Sequence, residues 1–334
     1  MAPSDQSSKR LSIFTWHVHG SYLYYLSQGN YDLYIPTRAG GRPGYGGRGD
    51  VFPFGENVRE IPFSEVRDHA FDCILFQSQQ NYLEDQFELF TERQLATAAR
   101  LYLEHDPPRK HPTDTCHIVD DPEVTVVHVT HFNRLMWDNR RCPVRVVEHG
   151  VTRSSFHYTG ILNKGAVVIN NLSERGRRLG ADIFLSARRH VPLDLIGMGS
   201  EEFGGIGEVP LPQLPGFLSC YRFFFNPIRY TSLGLAVCEA MMLGMPVVGL
   251  ATTEMVTVVQ NGISGYLDTD TDALIDKMDL LIQDRQLAAS MGEQAMKTAR
   301  GRFGIERFCR EWETLFRETA LERASLRQQS SFQA

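Results

Sequence analysis

Short apolar runs rich in β-branched residues alternate with stretches of helical periodicity, and this alternation restricts the fold more than any other feature of the chain. In the first half the runs fall at residues 12–18, 32–36, 73–77, 101–104, 125–130 and 145–148. Several are apolar throughout, the pattern of strands buried on both faces. Between them, residues 82–99 carry Phe87, Phe90 and Leu95 at roughly helical spacing, which predicts one helix there. A second series begins near Gly165, with strands predicted at 166–169, 194–197, 222–226 and 246–249 and helices at 235–243, 271–282, 285–298 and 305–325. Gly244 and Pro246 follow the first of these helices as stop signals. Alternating strands and helices imply a parallel sheet covered by helices on both faces. Two such series in 334 residues imply an α/β chain of two Rossmann-like, doubly wound domains facing across a cleft. The expected domains are 11–150 and 151–305, parting near 150–165, with a last helix at 306–325 packing back toward the first domain. Ligands of open parallel sheets bind beyond the carboxyl ends of the strands, so the cleft is the expected site.

Composition removes several classes of function. The chain is 42% apolar and 22% charged, ordinary values for a globular protein. A formal net charge of -6 argues against nucleic-acid binding, which needs a positive surface. None of the six cysteines forms a C-x-x-C pair, so neither a disulfide framework nor a zinc signature is present, and a reducing compartment fits. Cys73, Cys220 and Cys238 read as small buried hydrophobes. Residues 1–10 are polar, without an apolar signal core, and no run is long enough to cross a membrane. The expected location is the cytoplasm, which leaves peripheral membrane contact open. His111, Asp114, Cys116 and His117 are metal-ligand types at a spacing that fits no zinc pattern, and they read as a polar loop. Gly44-x-Gly46-x-x-Gly49 imitates a dinucleotide fingerprint, but Pro43 precedes it and no helix follows. Without strand–turn–helix context that reading fails. A mobile loop over an acceptor site is expected instead, an inert surface loop being the other reading.

Residues 231–250 carry the most chemical information. The row runs Phe225-Asn226-Pro227-Ile228-Arg229-Tyr230-Thr231-Ser232-Leu233-Gly234-Leu235, with Glu239 four positions further on. A buried strand ends at Asn226-Pro227, a short polar loop follows, and a helix begins near 233–235. A helix start presents unpaired backbone N–H groups and partial positive charge, a natural seat for phosphate. The dipole alone contributes about 0.3–1 kcal/mol. Direct N–H contacts to a charged oxygen add roughly 1.5–3 kcal/mol each. Ser232, Leu233, Gly234 and Leu235 are therefore expected to hold phosphate, with Gly234 letting the backbone approach closely. Glu239, about one turn inside the helix, is placed to accept hydrogen bonds from two adjacent ribose hydroxyls.

This segment resembles the retaining GT-B glycosyltransferases of family four, also called glycosyltransferase group 1, and the chain reads as a divergent member. Pro227, Tyr230, Gly234, Leu235, Glu239, Ala240, Gly244, Pro246, Val247 and Val248 match the family pattern, as do Glu254 and residues 261–267. The resemblance implies retaining sugar transfer from a nucleotide diphosphate donor, with no metal and no further cofactor. Thr231 stands where the family has a glutamate facing the transferred sugar; a threonine exchanges hydrogen bonds but carries no charge. The family's diphosphate-holding arginine and lysine fall on Asn171 and Leu179, although the following Gly180-x-Asp182 matches. Arg175, Arg177 or Arg178 is then expected to grip the phosphate bidentately; the sequence leaves open which one, an exposed basic turn being the rival reading.

In the first half, the resemblance puts the family's glycine-rich loop at 16–22, where only Gly20 fits and His17 and His19 are neighbours. These three are expected in the cleft, on the acceptor side. His105 stands where a family histidine hydrogen-bonds the donor sugar, and Asp106 is the next candidate to touch sugar hydroxyls. His131 and His149 end later strands and are expected at most to line the cleft; 148–151 resembles the family's crossover between domains. The base-contacting loop is placed near 199–210. The expected activity is transfer of a sugar to a glycan, lipid or small-molecule acceptor, in polysaccharide or glycoconjugate synthesis, with His105 and Thr231 at the reacting centre. Thr231 and the missing lysine keep a non-catalytic nucleotide-sugar-binding protein open, and a nucleotide-sugar epimerase of the same architecture is a further rival.

Overall fold

The computed structural model describes residues 10–332. All but Arg10 of the polar segment 1–10, and the last two residues of the polar tail 328–334, lie outside the described residues.

Two parallel sheets carry the chain. The first contains β1 (Leu11–Thr15), β2 (Tyr31–Thr37), β3 (Val58–Pro62), β4 (Cys73–Phe76), β5 (Ala99–Glu104), β6 (Val124–His128) and β7 (Val144–Val146), in the order β3-β2-β1-β4-β5-β6-β7. The second contains β8 (Leu162–Val168), β9 (Leu193–Ile196), β10 (Tyr221–Asn226), β11 (Val247–Leu250) and β12 (Gly265–Asp268), in the order β12-β11-β10-β8-β9. Helices of the first half are α1 (Gly20–Leu26), α2 (Gln86–Leu89), α3 (Glu92–Thr97) and α4 (His131–Met136). Those of the second are α5 (Leu172–Arg175), α6 (Ala181–Ala187), α7 (Leu214–Leu218), α8 (Leu235–Leu243), α9 (Met255–Val258), α10 (Thr271–Gln283), α11 (Arg285–Arg302) and α12 (Ile305–Phe332). The two expected doubly wound sheets are therefore present.

The differences from expectation have local causes. Two edge strands, β3 and β12, escape the hydrophobic pattern because edges bury little: β3 alternates buried Val58 and Ile61 with exposed Arg59 and Glu60. The single helix expected at 82–99 is broken in two, a π turn at Asn81–Asp85 that runs on into α2, and then α3. Phe90 turns extended, and Thr91 and Gln94 form a reciprocal capping box that starts α3 afresh. Ala98 is extended again and leads into β5. The first strand stops at Thr15 rather than 18, because the His17 N–H leaves the ladder for the Gly44 carbonyl. Cys73 and Cys238 are buried, but Cys220 is only half-buried.

α8 keeps its expected bounds. Six of its nine residues are buried, so it is packed all round rather than on one face. Gly244 ends it at φ 91°, a left-handed cap that glycine adopts without a Cβ penalty. α12 returns to the first sheet. Its Phe308, Trp312 and Phe316 are fully buried, Phe316 meets the Tyr31 ring edge-on at 5.2 Å, and the Trp312 indole N–H donates to the Tyr22 hydroxyl at 3.2 Å. One apolar cluster consequently runs from Ile13 and Leu23 through these rings to Leu233 and Val237 of the second half. Truncation of Trp312 would empty the middle of that cluster. Trp312→Ala is expected to lower unfolding free energy by about 3–5 kcal/mol in denaturant titration, the usual cost of deleting a large buried aromatic.

Candidate functional site

The carboxyl ends of both sheets open on one cleft of about 970 Å³. The first half contributes His17, His19, Gly20, His105 and Asp106; the second contributes Ser232, Leu233 and Leu235. These expected residues are brought together across more than 200 positions of sequence.

The floor of the cleft is a cluster of rings. His19 precedes α1, and His105 follows β5; their ring centroids are 4.1 Å apart. The Tyr22 ring meets His105 edge-on at 4.8 Å and His149 at 5.8 Å. Burial lowers the pKa of His19, and lowers that of His105 well below the ordinary value, with His19 and His149 adding to the effect at His105. Burial likewise pushes His149 down to about 4. These three imidazoles are neutral at pH 7. His149 Nε2 lies 2.7 Å from the Leu233 carbonyl, which only accepts, so Nε2 carries the proton. That bond fixes the backbone just before α8. His105 Nε2 is buried with no partner among the described residues.

The side of the cleft expected to hold phosphate is built on α8. Its N-terminus opens on the cleft at Ser232, Leu233 and Leu235. A Cβ at Gly234 would meet no protein atom within 4 Å, so the protein's own packing does not demand glycine there. Of the three candidate arginines, Arg175 lines the cleft, together with Asn170 and Met198. Among the described residues nothing hydrogen-bonds or ion-pairs with its guanidinium, and burial lowers its pKa. Arg177 is turned away: it is 76% exposed and paired with Asp182, which Arg229 also grips. Arg178 lies behind the loop, donating to the Tyr230 carbonyl at 3.3 Å. Asn171 serves the backbone instead, in left-handed conformation at φ 51° before α5, with its N–H on the Met198 carbonyl. Leu179, at the family's lysine position, is core.

Other expected residues are diverted. Thr231 does not line the cleft; its hydroxyl donates across the domains to Asp106 Oδ1 at 3.4 Å. Glu239 faces the first half, where the Tyr25 hydroxyl donates to its Oε1 at 2.7 Å. His131 is exposed, because the Thr130 cap turns the first residue of α4 outward. Its neighbour Phe132 does the joining: its N–H donates to Glu254 Oε2 at 2.8 Å. Glu254 is 2% exposed and also accepts from Arg302 at 2.9 Å and from Thr257 at 2.8 Å. The glycine-rich segment is no free loop. Gly44 and Gly46 bridge to His17 and Thr37, His17 Nδ1 reaches the Gly47 carbonyl at 2.8 Å, and residues 41–46 form a cleft wall. The polar loop expected around His111–His117 is a loop, though His117 is fully buried with Nε2 3.3 Å from Glu104 Oε2. Among the described residues, no group of three or more metal-ligand side chains is placed to hold an ion, and no helix is long and apolar enough to cross a membrane. Asn170, Arg175, Arg38, Arg42 and Glu208 also line it. Arg175 lay in the basic turn, Arg42 in the glycine-rich loop and Glu208 in the expected base-contacting segment, whereas Asn170 and Arg38 were not named as candidates.

Residues 193–284 match the family described as glycosyl transferases group 1. Of solved structures, sucrose-phosphate synthase from Thermosynechococcus elongatus has a TM-score of 0.67 at 14% identity, covering 92% of this chain and 99% of the other. Anabaena HepE, solved with UDP and glucose, has a TM-score of 0.62 at 14% identity, covering 92% and 99%. The chain carries a group 1 glycosyl transferase segment on a GT-B fold. Among curated proteins, N-acetyl-alpha-D-glucosaminyl L-malate synthase of Bacillus anthracis is 33% identical over 87 residues, 25% of this chain. The matched segment spans 23% of that relative's length. In this GT-B chain the matched segment contains α8, Thr231 and Glu239, so the group 1 match covers the second half's contribution to the cleft at Ser232–Leu235.

The buried histidines of this GT-B cleft make stability depend on pH. A histidine whose folded pKa lies below its unfolded value near 6.5 binds its proton more readily when unfolded. Its contribution is complete above about pH 6.5 and is lost as pH falls toward the folded value, about 4 for His149. Urea midpoints are expected to fall between pH 6.5 and 4.5. His149→Asn, which removes one such group, should flatten that slope by up to about 1.4 kcal/mol per pH unit.

Proposed function

We propose that this chain is a glycosyltransferase that moves a sugar from a nucleoside diphosphate donor to an acceptor hydroxyl, with retention and without a bound metal. The observation that carries the reading is Arg175. It is a partly desolvated guanidinium with no hydrogen-bond or ion-pair partner among the described residues, only the charge of Asp106 opposing its desolvation from a distance, and it lines the same cleft as the N-terminus of a nine-residue buried helix. A desolvated cation that keeps its charge needs an anion, and the pairing with helix N–H groups suits a diphosphate.

In this reading Ser232–Leu235 backbone groups and Arg175 take up charge as the bond between the anomeric carbon and the diphosphate oxygen breaks. Such preorganised stabilisation of a leaving group is commonly the largest catalytic contribution. The electron pair leaves on the diphosphate, and the acceptor oxygen bonds to the anomeric carbon as its proton passes to the departing diphosphate oxygen. Neutral His105, with an unpartnered Nε2, orients the sugar. Asp106, whose Oδ1 accepts from the Thr231 hydroxyl and whose Oδ2 is paired with Arg109, offers its remaining lone pairs to sugar hydroxyls. Glu239 accepts from the ribose. The acceptor, a glycan, lipid or small molecule, enters past His17, His19 and the 41–46 wall. HepE's ligands, UDP and glucose, support a nucleotide-sugar donor, and the name of the malate synthase supports transfer of a glycosyl group.

Incubation with a panel of nucleotide sugars tests the reading, with hydrolysis and transfer followed by chromatography. One donor is expected to bind and turn over slowly even without acceptor; no binding across the panel would sink the proposal. Arg175→Ala should weaken nucleoside diphosphate binding by about 10- to 100-fold, the equivalent of roughly 1.5–3 kcal/mol for a charge-assisted contact. Arg177→Ala, on the exposed Asp182 pair, should leave the constant within about twofold.

A further inference from the structure

Glu239 is the carboxylate on which the donor reading depends most, yet its surroundings are unusual. Its only hydrogen-bond donor among the described residues comes from the other half of the chain: Tyr25 in α1, 214 positions away, at 2.7 Å from Oε1. No arginine, lysine or histidine forms an ion pair with it among the described residues. Oε2 has no protein partner there either. The side chain lines not the larger cleft but a second, more enclosed cavity of about 220 Å³, walled by Leu214, Leu218, Met242 and Leu243 with Tyr24 and Tyr25. Burial raises the Glu239 pKa, and the Tyr25 hydrogen bond opposes that rise. Tyr25 is 4% exposed, and burial, then the Glu239 charge, push its own pKa far above the ordinary phenol. Its hydroxyl therefore stays a donor at every pH of interest, and the polarity of the bond is fixed.

We propose that Tyr25 is a positioning residue of the donor site: by pinning Glu239 Oε1 from the opposite domain, it presents Oε2 to the vicinal hydroxyls of the donor's ribose. The inference rests on the reading of Glu239 as the ribose ligand. A glutamate side chain has three rotatable bonds, and an unpinned one loses that freedom on binding. With Oε1 already held, the remaining oxygen is preorganised. The second consequence is geometric. Tyr25 belongs to the first domain and Glu239 to the second, so a ribose gripped in this way is gripped only when the domains are closed. A nucleotide lacking a ribose hydroxyl would draw little from the arrangement.

Tyr25→Phe removes the hydroxyl and keeps the ring. Calorimetric titration of wild type and Tyr25→Phe with UDP, ADP and GDP, each beside its 2′-deoxy analogue, reads the effect. For the ribonucleotide that wild type prefers, the dissociation constant is expected to rise about tenfold in Tyr25→Phe. The 2′-deoxy analogue should change less than about twofold, so the ribose preference collapses toward that of Glu239→Ala. Retained 2′-deoxy binding also shows that the variant is folded. An unchanged ribose preference, or tighter ribonucleotide binding as expected of a mere lid over Glu239, would overturn the role of Tyr25 alone. If none of the three ribonucleotides binds wild type, the donor reading is overturned and the role of Tyr25 with it.

Discussion

The site exists because a buried carboxylate bolts the two sheets together. Glu254, between β11 and α9, receives the Phe132 N–H of the first domain and the Arg302 guanidinium at the end of α11. Arg302 also reaches Glu148, just past β7. A charge this deep is costly unless fully paired, and removing one partner of such a set typically costs about 3–5 kcal/mol. Every donor here comes from a different element. Sliding either domain would break several bonds at once. That constraint holds His105 and Asp106 opposite Ser232–Leu235, and Tyr25 opposite Glu239.

The second support is apolar. α12 carries Phe308, Trp312 and Phe316 into the first sheet, and the Trp312 N–H holds Tyr22. Tyr22 in turn packs against His105, His149 and Phe308. The cleft floor is thus one side of a packed cluster, and its histidines are desolvated for the same reason that the cluster is stable. Their neutrality is a by-product of that packing.

Much of this was legible in the row of residues. Buried parallel strands announce themselves as continuous apolar runs, so ten of the twelve strands were read from pattern. α8 was read to the residue, since Gly234 and Gly244 bracket an unbroken helical stretch. The segment break at Phe90 was also written there, as Thr91-Glu92-Arg93-Gln94, a capping box inside an otherwise helical period. β3 and β12 were not, because each buries only two residues, too few to make a recognisable apolar run.

Side-chain assignment within the site divides along the same physical line. The sequence by itself determined the two doubly wound α/β halves, the start of α8 and the presence of histidines near strand ends. Each of these follows from local periodicity, caps and strand termini, which act over a few residues. Only the tertiary structure decided that Arg175 rather than Arg177 or Arg178 faces the cleft, because a 3₁₀ turn at Gly176–Leu179 spends the other two on Asp182 and Tyr230. Only the tertiary structure joined Thr231 to Asp106 and Tyr25 to Glu239. Those contacts span 125 and 214 positions, and a pairing at that distance is set by how two domains dock, which no local pattern encodes.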